Sequence, residues 1–128
     1  MCLNLKKSEK TILAFDVNEW ALDKAEKGGI QCVDSLPDIG LAGCDIVFTM
    51  LPGDDAVHEV MPVLMNTWPC ILVDCSTVSP TTSRHWHSQV ARDGGPSSAM
   101  FDAPVSGGVK VKESFVLPPT NLIQIRLI

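Results

Sequence analysis

The chain has 128 residues, the size of one ordinary domain, and 45% of them are hydrophobic, enough to build a core. A formal charge of −5 leaves no surplus of cations for the phosphates of a nucleic acid, and no apolar run is long enough to span a bilayer. Five cysteines form no CxxC pair; their odd number and apolar surroundings suit reduced thiols in a reducing compartment. The opening MCLNLKKSEK lacks the apolar stretch of a secretory signal and does not read as a transit peptide.

The first expected strand is the apolar run Thr11 to Phe15, closed by Asp16. Asn18 is then placed to cap a helix carrying Trp20, Ala21, Leu22 and Ala25, with Gly28-Gly29 as its stop. A short strand at Ile30 to Val33 leads into a helical turn that Ser35 and Pro37 start and Gly40 and Gly43 break. Asp45 to Leu51, DIVFTML, is nearly continuous in apolar residues, as a strand buried on both faces of a parallel sheet must be. After Pro52-Gly53, Val57, Val60, Met61 and Leu64 form one helical stripe. Cys70 to Val73 is another buried run, ended by Asp74; Ser79-Pro80 starts a helix with Trp86 and Val90 on one face, stopped by Gly94-Gly95. Met100 to Pro104 is the last strand of this rhythm.

Strands alternating with helices predict a doubly wound α/β domain on a parallel sheet, with Thr11 to Phe15, Asp45 to Leu51 and Cys70 to Val73 as neighbouring central strands. In such a sheet, ligands bind where loops leave the carboxyl ends of the strands. Five places qualify: Asp16, Leu51-Pro52, Asp74 to Thr77, Asp102, and Ser106-Gly107-Gly108. A carboxylate at Asp16 suits an adenosine ribose and repels a 2′-phosphate, favouring NAD over NADP; the plainer role is a helix cap shared with Asn18. Pro52-Gly53 lets main chain lie against a ligand, and Ser76 and Thr77 offer hydroxyls and free N–H groups at a helix start. Ser106-Gly107-Gly108 is a backbone donor loop open to a small carboxylate.

Two other chemistries are unsupported. His58, His85 and His87 match no HExxH or paired CxxC spacing, and residues two apart on a helix diverge, so no metal site is expected. GxSxG is absent, so no nucleophile elbow is expected either.

Four segments, FDVN at Phe15 to Asn18, DIVFTMLPGDDAV at Asp45 to Val57, VDCSTVSP at Val73 to Pro80 and FDAPVSGGV at Phe101 to Val109, resemble the β-hydroxyacid dehydrogenase family in order and spacing, most nearly its 3-hydroxyisobutyrate dehydrogenases. The resemblance implies a partial NAD(P)-binding Rossmann domain over residues 1–109 and a divergent tail over 110–128. It implies NAD-dependent oxidation of a small 3-hydroxy acid to its semialdehyde, a step of valine catabolism. Asp16, Leu51, Pro52 and Thr77 would contact the cofactor, and Ser106, Gly107 and Gly108 the substrate carboxylate. A homo-oligomer, if formed, would use the family's further, all-helical domain, and the location would be the mitochondrial matrix in a eukaryote and otherwise the cytoplasm.

This sequence departs from the family pattern in three places. Ala56 stands where relatives carry Asn in the cofactor helix. The first strand with its GxGxxG-type turn is missing, Met1 to Leu5 resembling the helix that follows it. The family's general acid/base lysine lies beyond Gly108, and Lys110 and Lys112 are not in its motif, so no catalytic residue is assigned and the chain is expected to be inactive alone. Alternative readings are a non-catalytic dinucleotide-binding remnant, a glyoxylate/succinic semialdehyde reductase-like protein, and a reader domain built on the same fold.

Overall fold

A computed structural model describes residues 11–67, 71–95 and 98–104. Nine elements alternate along it: β1 (Leu13–Ala14), α1 (Glu19–Lys27), β2 (Gln31–Cys32), α2 (Leu36–Leu41), β3 (Ile46–Thr49), α3 (Asp54–Thr67), β4 (Ile71–Asp74), α4 (Pro80–Asp93) and β5 (Ala99–Asp102). The local signals act as expected. The Asn18 side chain accepts the Trp20 N–H to cap α1, and Ser79 accepts the Thr82 N–H to cap α4 with Pro80 in its first turn. Gly29 (φ 74°) and Gly95 (φ 78°) take the left-handed backbone that follows α1 and α4, a conformation that costs a residue with a Cβ.

All strand pairs among the described residues are parallel. β1 pairs with β2, and β3, β4 and β5 form a ladder in that order, with Val47, Leu72 and Met100 in one row and Thr49, Asp74 and Asp102 in another. Crossover helices between parallel neighbours give the α/β, Rossmann-like architecture. One expectation needs correction: β3 and β4 are neighbours, but β1 bonds to β2 and, among the described residues, forms no ladder with β3. The physical reason is that the doubly wound order does not make the strand that precedes β2 a ladder partner of the strand that starts the second half.

Strand alternation divides the core into two layers. Leu13, Val47, Leu72 and Met100 point to the side of α2, α3 and α4, where they meet Ile39, Val57, Met61, Leu64, Trp86 and Val90. Ile12, Ala14, Phe48 and Cys75 point the other way, with Ile30 and the partly buried Ala25 of α1. Val47 and Phe48 therefore lie on opposite faces, both buried, and each contributes about 1.5–3 kcal/mol by leaving water. Two-sided burial is why DIVFTML is apolar without alternation.

Candidate cofactor site

The carboxyl ends of β3, β4 and β5 bring three polar side chains level: Thr49, Asp74 and Asp102. Thr49 and Asp74 are buried, and the Thr49 hydroxyl donates to Asp74 Oδ1 at 2.9 Å. The same oxygen accepts the Ser76 N–H at 3.0 Å, and Ser76 Oγ accepts the Leu51 N–H at 2.8 Å. The turn after β3 is thereby tied to the turn after β4. Further out, Ser83 Oγ donates to Asp102 at 2.9 Å, joining α4 to the end of β5.

The predicted cofactor residues divide between two places. Leu51 and Pro52 lie in the turn after β3 and Thr77 in the turn after β4, brought together by the Leu51–Ser76 bond. The Leu51 side chain is in the core, so its backbone is the part that faces the turn; Pro52 and Thr77 are exposed. Asp16 follows β1, on the other ladder. Its Oδ1 accepts the Asn18 N–H at 2.9 Å, so the capping role expected as the plainer reading is present, and its Oδ2 makes no hydrogen bond among the described residues. Ser106, Gly107 and Gly108 lie outside the described residues.

A shallow depression beside Pro52 is lined by Gly53, Asp54, Asp55, Ala56 and Glu59. A side chain built on Gly53 would meet nothing, so the backbone there is open to approach. Three carboxylates repel an anion, so the depression does not suit a pyrophosphate; a neutral ribose or a cationic nicotinamide ring is compatible with it.

Sequence reasoning passed over Thr49, which is one letter of an apolar run; a hydroxyl one residue from the strand end was the available signal. His58 and His85 pack against Trp86, with ring centroids 5.6 and 4.9 Å from the indole, and His58 Nε2 lies 3.5 Å from Thr82 Oγ1. Among the described residues, no three His, Cys, Asp or Glu side chains are grouped to hold a metal. Burial, with the Glu26 charge second, pushes the Cys32 thiol up.

Residues 1–117 match the family described as the NAD binding domain of 6-phosphogluconate dehydrogenase. The chain belongs to this NAD-binding family. Among similar proteins, the NAD-dependent L-serine dehydrogenase of Pseudomonas aeruginosa is 36% identical over 113 residues, 84% of this chain and 37% of that protein. The mitochondrial 3-hydroxyisobutyrate dehydrogenase of Drosophila melanogaster is 29% identical over 120 residues, 91% of this chain and 36% of that protein. The solved structure of Mycobacterium tuberculosis 3-hydroxyisobutyrate dehydrogenase with L-serine superposes with a TM-score of 0.80 at 30% identity, covering 88% of this chain and 38% of that one. The chain thus spans between a third and two fifths of the length of these relatives. The β-hydroxyacid dehydrogenase resemblance is borne out, as is NAD as the cofactor of the family.

Proposed function

We propose that the chain supplies the nicotinamide-side and adenosine-side contacts of an NAD-dependent dehydrogenase acting on a small 3-hydroxy acid of the 3-hydroxyisobutyrate type. The observation that carries this is the Leu51–Ser76 bond, which sets two open turns side by side at the carboxyl ends of parallel strands in a chain of an NAD-binding family. The named substrates of the relatives, L-serine and 3-hydroxyisobutyrate, share an alcohol on the carbon β to a carboxylate. That shared group supports the substrate class and leaves the side chain of the acid open.

Bound NAD would take up hydride from the alcohol carbon. The turn backbone at Pro52-Gly53 and the Thr77 hydroxyl hold the nicotinamide ribose, and the Asp16 carboxylate receives the adenosine ribose hydroxyls and disfavours a 2′-phosphate. The donor loop Ser106-Gly107-Gly108 takes the substrate carboxylate. By analogy with the named relative, a eukaryotic source places the protein in mitochondria. Equilibrium dialysis of the whole chain against NAD tests the reading. Retention weakened by Asp16→Ala and by Thr77→Val supports it; no retention at millimolar NAD, or retention indifferent to both substitutions, overturns it.

A further inference from the structure

Asp74 ends β4 as a residue 1% exposed, and its two oxygens are used very unequally. Oδ1 accepts two hydrogen bonds, from the Thr49 hydroxyl and the Ser76 N–H, while Oδ2 is buried and has no hydrogen-bond partner among the described residues. A buried carboxylate in that condition is costly. The residue two before it on the same face, Leu72, shows what packing alone asks of this layer: a leucine, 3% exposed. The polar side chain has a geometric consequence instead. Thr49 belongs to β3, Ser76 to the turn after β4, and Ser76 Oγ goes on to hold the Leu51 N–H, so bonds that meet at Asp74 fix both turns. Thr49 and Ser76 are also 1% exposed, which keeps water from competing for these bonds.

We infer that Asp74 is a positioning residue that sets the Leu51-Pro52 turn against the Ser76-Thr77 turn, so that the two present one surface to the nicotinamide end of a dinucleotide. The ligand half of this inference rests on the cofactor reading above; the structural half does not. No bond of the network reaches Asp16, which follows β1 on the other ladder, so the adenosine end is independent of Asp74.

Three variants of the full chain separate the possibilities. Asp74→Ala removes the whole acceptor, Ser76→Ala removes only the link to Leu51, and Asp74→Asn keeps one oxygen for Thr49 and Ser76. The measurements are amide hydrogen exchange of the peptide containing Leu51, and equilibrium dialysis against NAD and, separately, AMP. In Asp74→Ala and Ser76→Ala, the Leu51 amide should exchange about tenfold faster, the effect of losing one buried bond. NAD retention should fall about fivefold with AMP retention unchanged, and Asp74→Asn should recover both. Equal loss of NAD and AMP would mean general damage to the fold and would overturn the inference, as would Leu51 exchange at the wild-type rate in both alanine variants or an Asn variant no better than Ala. If the wild-type chain retains neither NAD nor AMP, the cofactor reading falls by itself, and the exchange rates alone decide whether Asp74 positions Leu51. Should Asp74→Ala fail to fold, Ser76→Ala carries the same test.

Discussion

The Asp54 carboxylate, in the first turn of α3, accepts the backbone N–H of Ser79 at 3.0 Å, so one side chain joins the starts of two helices that follow adjacent strands. Hydrogen bonds from the Thr82 side chain, and then from the Ser79 side chain and backbone, hold the Asp54 carboxyl below its usual range. The unfolded chain therefore binds this proton more readily than the folded one. The stabilisation is complete above the ordinary carboxylate pKa of about 4 and is lost as pH falls through the lower folded value. Asp54→Asn should melt below wild type at neutral pH, and the gap should close in acid. Melting curves across that range check this; a gap that stays constant into acid contradicts it.

The packed layer under α3 gives a second expectation. Met61 is completely buried, while Glu59, two residues earlier on the same helix, is exposed. Met61→Ala should cost about 2–5 kcal/mol, the lost transfer energy plus the cavity left behind. Glu59→Ala should stay within about 0.5 kcal/mol. Urea unfolding of the two variants measures the difference, and equal midpoints would show that the α3 face is misassigned.

Much of this fold is legible because its signals are local or periodic. Asn18, Ser79-Pro80 and the glycine pairs after α1 and α4 act within one turn of chain, and the unbroken apolar run at β3 reports burial on both faces. Strand lengths were less legible: β1 is two residues where the apolar run is five, because a ladder needs a paired neighbour and apolar character does not supply one. The order of strands is non-local for the same reason, which is why the adjacency expected between the first strand and β3 did not hold. The place of Leu51, Pro52 and Thr77 in turns after buried strands was legible from the apolar runs before them. The Thr49–Asp74–Ser76 network was not, because its members are 25 and 2 residues apart and only the register of β3 on β4 brings them together.

Turnover by the chain alone should be absent. Hydride removal from an alcohol requires the hydroxyl proton to leave, and general acid/base help of that kind is worth about 10²–10⁴ in rate. Among the described residues the lysines are Lys24 and Lys27, both on α1, one over the Trp20 ring and the other paired with Asp23 at 2.6 Å. Neither stands at the strand ends. Purified chain with 3-hydroxyisobutyrate and NAD should form NADH no faster than a protein-free control. Steady NADH formation that Lys110→Ala abolishes would place the base in the tail.

The account rests above all on where a dinucleotide touches the chain, and hydrogen exchange with and without saturating NAD measures that directly. Protection should appear in the peptides holding Asp16 to Asn18, Leu51 to Gly53 and Ser76 to Val78, with none along the outer stripe of α4 at Arg84, Ser88 and Arg92. Protection confined to that α4 stripe, or NAD binding that leaves all three turns exchanging at their free rates, would contradict the central claim.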